Sequence, residues 1–457
     1  MKHPILRICR HVALLLTLPL CFSASLANPN VPPAVQTQPI ILSGATVHTV
    51  SGADISNARL RMDQGRITAI GPSGSVPDDP KAILIDLTGR HIYPGLISAN
   101  SSVGLTEIAA VRATIDTTEV GSVNPNARAL VAINADSDLI PVTRANGVLA
   151  VLTVPRAGRA GLIAGTSALI QLDGWNWADM AIQPAVALHV VLPRMRLNAS
   201  LFVPTNETQL AELRKLTTER LKLLEDAFKS AQAYDQALSN EPGAAIDTRW
   251  DAMRGIFAKG AKQMPVFVHA GDITQIRYAL DFAQRFDLKI TLVGGQDAWR
   301  VSDVLRERKI GVIVTGVHSV PTRHDEAYDS AFATASKLAA AGVQFCIARS
   351  GGEFDSATER ALPFEAASAA AHGLPSSEAL KAITLYPAQM LGVADKLGSL
   401  EVGKLANLFV STGDPLDIRS QVQHVFIQGR ELALRDRQTD LRDKYQQRYK
   451  QQGLTVQ

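Results

Sequence analysis

Cysteine is scarce in this chain of 457 residues, which contains three. Cys9 and Cys21 lie in the N-terminal segment, so the rest of the chain keeps Cys346 as its one thiol. A single thiol forms no internal disulfide, and a fold of this size must be held by its hydrophobic core. Cys346 lies in the apolar run Val343–Ala348. That run predicts a buried strand, so we expect a packed core cysteine rather than a catalytic thiol.

A net excess of one charge is also lacking. Lysine and arginine number 46 and aspartate and glutamate 43, but Lys2, Arg7 and Arg10 precede the first acidic residue, Asp54. Without those three residues the counts are equal, so nucleic-acid binding has no electrostatic basis. Hydrophobic residues make up 46% of the chain and charged residues 19%. This mixture excludes a disordered chain, a collagen and a polytopic membrane protein.

The N-terminal 27 residues have the pattern of a secretory signal peptide. A basic start leads into the apolar run Val12–Phe22, and Ser25-Leu26-Ala27 supplies a small-x-small cleavage site. A membrane anchor is the alternative, but a spanning helix needs roughly 20 apolar residues and this run is shorter. We therefore predict signal peptide 1–27, export to the bacterial periplasm, and no membrane span after cleavage.

Short β-like segments stand at both ends of the remaining chain. Alternating apolar residues and glycine turns predict antiparallel strands near the N-terminus, within Ile40–Val50, Arg59–Ile70 and Ile83–Leu87. Near the C-terminus, Leu397–Val410 and Val422–Ile427 return to β character. We predict a composite β-sandwich domain from residues 28–90 and 395–435, followed by a polar helical tail over 436–457.

Between these ends, apolar strands alternate with amphipathic helices. Gly147–Val154 and Val186–Leu192 are strand candidates, and a long helix is predicted over residues 208–238. Four strand–helix repeats then begin at Pro265, Lys289, Ile310 and Val343. This alternation favours parallel strands with helical crossovers. A (β/α)8 barrel over residues 91–394 fits the length better than an open sheet, and no Gly-x-Gly-x-x-Gly follows a strand.

Several motifs together resemble the amidohydrolase superfamily, especially its imidazolonepropionase-like and prolidase-like branch. They are Arg66–Gly71 with Ile85–Ile97, Val266–Ala270, and Ala382–Gly392 continuing through Gly398–Leu408 and Gly413–Pro415. The family comprises metal-dependent hydrolases of cyclic amides, ureas and related C–N bonds. The resemblance implies an α/β fold, a distorted (β/α)8 TIM barrel with a small composite β-sandwich domain from both termini. It also implies a divalent metal and a small-molecule substrate.

The sequence departs from the metal-ligand pattern of that family. The family places His-x-His at the end of the first barrel strand, where this chain has Asn100-Ser101-Ser102. The resemblance matches His269 to the fifth-strand ligand. The other positions carry residues that bind zinc poorly: Asn100, Ser102, Gly294 and Ser350. His269 is the one residue that matches a metal ligand of the family. We therefore predict no set of metal ligands, and the cofactor stays unknown.

Two histidines follow strands at the predicted C-terminal rim of the barrel, where barrel active sites lie. His269 and His318 are the candidate catalytic residues, for acid/base catalysis or as half of an unusual metal site. Alternatively, both are structural histidines hydrogen-bonded within loops. The candidate substrate-lining residues are Asn100, Ser102, Arg144, Arg349 and Ser350. Arg144 could bind a substrate carboxylate, although a helix-to-strand connection produces the same pattern. His189, which lies among valines inside a predicted strand, is predicted to be a satisfied core histidine.

Two classes of function remain open from the sequence. In the first, the chain is an exported hydrolase of a C–N bond in a small cyclic amide or peptide-like substrate. In the second, it is a catalytically degenerate barrel that acts as a binding or structural protein. Both readings imply a small-molecule ligand and no nucleic acid. The oligomeric state stays open, with a homo-oligomer among the options.

Overall fold

The computed structural model describes residues 31–158, 161–196, 206–241, 243, 245–321, 323 and 325–454. The predicted signal peptide 1–27 lies outside these residues, so export stays a prediction. Within the described ranges, every helix is too short or too polar to cross a membrane.

Strands and helices of the described chain alternate through its middle part. The strands are β1 (Ile40–Val47), β2 (Ile55–Asp63), β3 (Arg66–Pro72), β4 (Ile83–Asp86), β5 (His91–Pro94), β6 (Leu96–Ser101), β7 (Val148–Thr153), β8 (Ile163–Thr166), β9 (Ala168–Gln171), β10 (Ala181–Gln183), β11 (Leu188–Val191), β12 (Val266–Ala270), β13 (Ile290–Gly294), β14 (Gly311–Thr315), β15 (Phe345–Ala348), β16 (Leu408–Ser411), β17 (Val422–Ile427) and β18 (Arg430–Leu432). The α-helices are α1 (Leu139–Arg144), α2 (Trp177–Met180), α3 (Glu207–Asn240), α4 (Thr248–Asp251), α5 (Arg254–Phe257), α6 (Ile273–Phe286), α7 (Ser302–Glu307), α8 (Thr334–Ala340), α9 (Glu353–Ser356), α10 (Leu362–Ala371), α11 (Ser376–Lys381), α12 (Leu385–Met390) and α13 (Arg437–Gln451).

One sheet joins the two ends of the chain. Its strand order is β18-β17-β16-β5-β1-β2-β3, with β4 paired to β1. Along β2, Ala58, Leu60 and Met62 are buried in alternation with more exposed neighbours, as expected for a strand with one face on a core. We call this sheet the terminal sheet. Its composition from both ends agrees with the composite β region expected from the sequence.

The C-terminal β prediction extended too far along the chain. The sequence suggested β character through Leu397–Val410, but the strand covers only Leu408–Ser411. The preceding segment contains Gly398 and Gly403, whose φ angles of 90° and 93° lie in the left-handed region. Such backbone turns interrupt a strand, so the segment forms turns that lead into the sheet.

The barrel strands form two further sheets. Strands β11, β12, β13, β14 and β15 run parallel in chain order, and β6 runs parallel to β7. Strand β7 is buried along its whole length, and so are β14 and β15. Continuous burial is typical of parallel strands covered by helices. The parallel strands therefore end together at one side of the molecule.

Strands β8 and β9 reverse direction relative to the rest of the barrel. Strand β9 pairs antiparallel with β7, and β8 pairs antiparallel with β11. This differs from the parallel arrangement that the strand–helix alternation predicts. Among the described residues no helical crossover lies between β7 and β9. Parallel pairing of two neighbouring strands requires such a crossover, so β9 lies antiparallel beside β7.

The long helix α3, predicted over residues 208–238, covers the outside of the barrel. Asn206 caps it by accepting a hydrogen bond from the backbone N–H of Gln209 at 2.8 Å. Phe228 is fully buried and packs its ring against Phe282 of α6, with centroids 4.8 Å apart. This aromatic contact fixes α3 against the helix that follows β12, and β12 carries His269.

Candidate functional site

Side-chain hydrogen bonds connect the end of β6, the first barrel strand, to the segment that follows β15, the last barrel strand. The Asn100 side-chain amide donates hydrogen bonds to the carbonyl oxygens of Arg349 at 3.0 Å and Ser350 at 2.8 Å. The Ser102 hydroxyl donates to the carbonyl of Gly352 at 3.1 Å. The side chains of Asn100 and Ser102 thus hold the end of β6 against the segment that follows β15. We define the barrel mouth as this rim region: Asn100, Ser102, Arg156, His189, His269, Arg349, Ser350 and Gly351.

His269 and His189 form a hydrogen-bonded pair at the mouth. His189 Nδ1 lies 2.9 Å from His269 Nε2 because β11 and β12 are adjacent parallel strands. Burial, together with the positive charge of Arg156, lowers the pKa of His269 to about 3. Burial, His269 and Arg156 hold the pKa of His189 well below its usual value. Both rings are therefore neutral at neutral pH, and one donates to the other.

His189 differs from the satisfied core histidine that the sequence suggested. It is fully buried, as expected, and its ring packs edge-on against Phe267. However, its Nε2 atom has no hydrogen-bond partner among the described residues. A buried, unpartnered ring nitrogen next to a histidine at the mouth places His189 in the candidate site.

Arg156 crosses the mouth from the end of β7. Its backbone N–H donates to the carbonyl of Thr117 at 2.6 Å, and its Nη2 donates to the carbonyl of Ser350 at 3.1 Å. Gly351, with φ of 71°, makes room for the guanidinium. A Cβ atom at Gly351 would overlap Arg156 Nη2 and lie 2.7 Å from Asn100 Nδ2. The backbone after the last strand is thus shaped around this arginine.

Three carboxylates act electrostatically on the Arg156 guanidinium. Glu353, Asp355 and Glu359 all favour its charged form, whereas burial lowers its pKa. All three lie in the helical segment that follows β15. The mouth therefore holds a positive charge that faces negative charges from one side.

The most buried of these carboxylates is Glu359, which is inaccessible to solvent. Its Oε2 accepts a hydrogen bond from the Ser101 hydroxyl at 2.9 Å. Burial raises the pKa of Glu359 to about 7, and the hydrogen bonds and Arg349 oppose that shift without cancelling it. Since Ser101 lies between Asn100 and Ser102, Glu359 supports the strand end that forms the mouth.

Arg349 is committed to neighbouring side chains. Its guanidinium pairs with Glu365, lies 3.1 Å from Asp355 Oδ1 and donates to the Thr358 hydroxyl at 2.9 Å. The Ser350 hydroxyl likewise donates to Asp355. These predicted substrate-lining residues do lie at the mouth, but their polar atoms are largely used within the protein.

His318 lies with a different group from His269. Its Nε2 is 2.6 Å from the Ser368 hydroxyl and its Nδ1 is 3.5 Å from Glu365 Oε1. Its side chain is 40% exposed. In the described part of the chain, no hydrogen bond or ring contact joins His318 to His269, so the structure does not bring the two predicted catalytic histidines together.

Arg144 lies away from the mouth, contrary to its predicted place beside a substrate. Helix α1 precedes β7, so Arg144 is at the amino end of the barrel strands. Its Nη1 donates to the Leu172 carbonyl at 2.8 Å and lies 3.4 Å from Asp173 Oδ1. Asp173 Oδ2 lies 2.8 Å from Arg430 Nη2, on β18. Arg144 thus lies at a helix-to-strand connection, and through Asp173 it links the barrel to the terminal sheet.

Arg156 and the three carboxylates that face it are not among the site residues predicted from the sequence. Arg156 follows directly after the buried strand β7, and charged residues just past a barrel strand reach the rim. That position was a usable signal for Arg156. The Ser350 contact has no local signal, since 194 positions separate the two residues in the chain.

The residues at the mouth do not fit the metal site that the resemblance implies. The Asn100 amide directs its N–H groups toward carbonyl oxygens, and Arg156 brings a positive charge. His269 shares its Nε2 with His189. Across the described ranges, no three histidine, cysteine or acidic side chains are grouped as metal ligands. A catalytic zinc site needs about three protein ligands, and this donor set does not supply them.

A cavity of about 450 Å³ adjoins the mouth. Thr117 and Pro155 line it, and both are directly connected to Arg156 through a backbone hydrogen bond or the chain itself. Glu119, Asn126 and Arg128 add polar groups to its wall. This volume lies within the range of small-molecule sites. The cavity therefore lies next to the chain segment that carries Arg156.

Comparisons with known proteins agree with the family resemblance seen in the sequence. Residues 251–432 match the model of the amidohydrolase family. The amidohydrolase tasK of Hapsidospora irregularis is 22% identical over 408 residues, which are 80% of this chain but 39% of that protein. The chain therefore spans well under half the length of that relative.

Solved structures share the fold. An amidohydrolase from Thermotoga maritima MSB8 superposes with a TM-score of 0.75 and 24% identity, covering 87% of this chain and 100% of the other. A zinc-bound adenosine deaminase from Xanthomonas campestris gives a TM-score of 0.50 and 15% identity, covering 91% of this chain and 99% of the other. The predicted fold class, a barrel of α/β type with a separate β domain, is confirmed.

Proposed function

Because this chain carries an amidohydrolase-family domain on the amidohydrolase fold, we propose that it binds a small amide-bearing molecule in its barrel mouth, without a metal centre. The domain match and the hydrolase relatives support placing this chain in the class of hydrolases of amide or other C–N bonds. Most polar atoms of the mouth are bonded within the protein, but Asn100 Oδ1, Arg156 Nε and His189 Nε2 have no partner among the described residues and can bond to a ligand. Binding is therefore the activity that these side chains support best.

The observation that carries the proposal is the unpaired oxygen of Asn100. The residue is buried, its nitrogen donates to two carbonyl oxygens, and its Oδ1 has no partner among the described residues. An unsatisfied buried acceptor costs about 1–3 kcal/mol. A ligand N–H would satisfy it, and a ligand carbonyl could accept from Arg156. A small amide or urea carries both groups, which is why we choose that ligand class.

Hydrolysis of a C–N bond at the same mouth is the second candidate. The pair of His269 and His189 favours it, because a neutral imidazole can take a proton from water as the water attacks a carbonyl carbon. The proton would pass to the leaving nitrogen as the C–N bond breaks. The pKa of about 3 for His269 makes it a weak base at neutral pH, so binding stays the leading proposal.

We also propose export to the bacterial periplasm. The basic start, the apolar run and the small-x-small site at Ser25-Leu26-Ala27 support it. N-terminal sequencing of the protein recovered from a periplasmic extract should begin at Asn28. A chain that retains residues 1–27 in the cytoplasm would contradict this proposal.

The first experiment measures the metal content of residues 28–457 by elemental mass spectrometry, before and after incubation with zinc, manganese and iron. We expect no stoichiometric metal. About one tightly held ion per chain would overturn the proposal, since that is what a catalytic centre requires.

The second experiment tests ligand binding by saturation-transfer NMR with hydantoin, dihydrouracil and an Xaa-Pro dipeptide as probes. We expect a signal from at least one probe that disappears in Asn100→Ala. Asn146→Ala is the matched control, because its amide donates to the Arg360 carbonyl outside the mouth. An undiminished signal in Asn100→Ala would contradict binding at the mouth, and product formation that His269→Ala abolishes would favour the hydrolase candidate.

A further inference from the structure

We propose that Arg156 is the resident cation of the barrel mouth, where its guanidinium takes the place and the charge-balancing task that a metal ion has in metal-dependent amidohydrolases. This inference rests on the proposed absence of a metal centre. It adds a reason for that absence, because a fixed positive charge among the strand ends repels a divalent cation.

The position of Arg156 supports this assignment. The arginine follows β7, its backbone bonds to Thr117, and its Nη2 reaches the Ser350 carbonyl beyond β15. Asn100 at the end of β6 donates to that same carbonyl. Three separate strand ends thus converge on the guanidinium. Gly351 leaves the space that its Nη2 occupies, since any Cβ there would overlap it.

The charges around the mouth supply the second argument. Glu353, Asp355 and Glu359 all stabilise the positive charge of Arg156. Arg349, the other arginine at the mouth, already pairs with Glu365 and Asp355. When Glu359 ionises, above its pKa of about 7, its buried carboxylate needs a nearby cation, because an uncompensated buried charge is expensive. Arg156 supplies it without help from a bound ion.

The positive charge of Arg156 also acts on the histidine pair. Arg156 disfavours protonation of both His269 and His189. A metal ion bound at the mouth would have the same effect on nearby imidazoles. The guanidinium therefore imposes the electrostatic field of a cation on side chains that it does not contact by a hydrogen bond.

The test is chemical rescue of Arg156→Ala in the mature chain. We expect its Tm to fall by roughly 3–6 °C, as for loss of a charge partner in a chain of this size. Millimolar guanidinium chloride should recover part of that loss, with Tm rising with its concentration, because the ion binds the folded state only. Sodium chloride at equal concentration should not. Such concentrations are too low for the denaturing effect of guanidinium to matter.

Arg220→Ala is the matched control. Its guanidinium also donates to a single backbone carbonyl, that of Gly161 at 3.1 Å, and burial alone shifts its pKa. We expect Arg220→Ala to show no rescue by guanidinium. A metal-free wild type combined with no rescue of Arg156→Ala would overturn this inference and leave the proposed function standing. A stoichiometric metal in the wild type would instead overturn the proposed function.

Two further measurements keep the inference testable if Arg156→Ala does not fold. Arg156→Lys keeps the positive charge and Arg156→Gln removes it at similar length. We expect the fall in Tm of the Lys variant to be less than half of the fall in the Gln variant. The pKa of His269, followed by NMR, should rise in the Gln variant alone. Equal Tm losses with equal His269 pKa values would overturn the assignment.

Discussion

Arg144 at the amino end of the barrel and Arg156 at its carboxyl end differ in what surrounds the guanidinium. Arg144 shares the carboxylate of Asp173 with Arg430 and donates to a carbonyl, so its polar environment is largely complete. Arg156 faces three carboxylates at longer range, and its buried Nε atom has no hydrogen-bond partner among the described residues. Asn100, Arg156 and His189 at the carboxyl end each have a buried polar atom without a partner among the described residues, and barrel proteins place their sites at this end. The amino end serves stability.

Asp173→Asn should break this comparison most strongly. It leaves Arg144 and Arg430 buried without an anion, and loss of one partner of a buried pair costs about 3–5 kcal/mol of unfolding free energy. Urea denaturation followed by circular dichroism measures the loss. Asp179→Asn, at an exposed position of helix α2, should change little. Probe binding by the folded fraction should persist, and its loss would mean that the amino end also shapes the mouth.

Glu359 should make the stability of the carboxyl end depend on pH. Burial raises its pKa from 4.5 to about 7, so the folded state keeps a proton that the unfolded state releases between these values. Stability from this group is therefore present below pH 4.5, falls as pH rises toward 7 and then levels off. The shift corresponds to about 3 kcal/mol at most.

Glu359→Gln should flatten that fall, which urea denaturation at several pH values would measure. Glu353→Gln is the control, because the Glu353 side chain accepts from Thr117 at 3.2 Å in a more exposed place. Its pH profile should follow that of the wild type. An unchanged slope in Glu359→Gln would mean that Glu359 is ionised in the folded protein.

Gly351→Ala should damage the mouth more than the whole fold. Its φ of 71° disfavours any Cβ, and that Cβ would overlap the Arg156 guanidinium. We expect about 1–3 kcal/mol of lost unfolding free energy and loss of probe binding. Gly403→Ala, also at positive φ but with open space around it, is the control. It should lose stability through its backbone strain while keeping the probe. Retained binding in Gly351→Ala would show that Arg156 can shift without consequence.

The fold was largely predictable because its signals are local. An apolar run followed by an amphipathic helix pattern marks each of the four repeats, which begin at Pro265, Lys289, Ile310 and Val343. All four predicted strands form. The reversal of β8 and β9 was not predictable from composition, since an apolar strand reads the same in either direction. The available signal was the lack of an amphipathic helix pattern between Thr153 and Ala168.

The site was less predictable because it depends on contacts between distant segments. His269 stood out through its position at a strand end, but its partner His189 lies 80 positions earlier in the chain. Nothing local distinguishes the buried nitrogen of His189 from that of a core histidine. Arg144 and Arg156 both flank β7, and only the folded chain shows which of them reaches the mouth.

His318→Ala should have the smallest effect and sharpen the boundary of the site. His318 bonds to Ser368 and Glu365 and is 40% exposed, so its removal should change the unfolding free energy by less than about 1 kcal/mol. Glu365 keeps its pairing with Arg349 in this variant. Probe binding by saturation-transfer NMR should stay at the wild-type level, whereas His269→Ala should weaken it. If His318→Ala loses binding equally, the ligand must extend from Arg156 across the rim to Ser368, and the site would include both histidines of the original prediction.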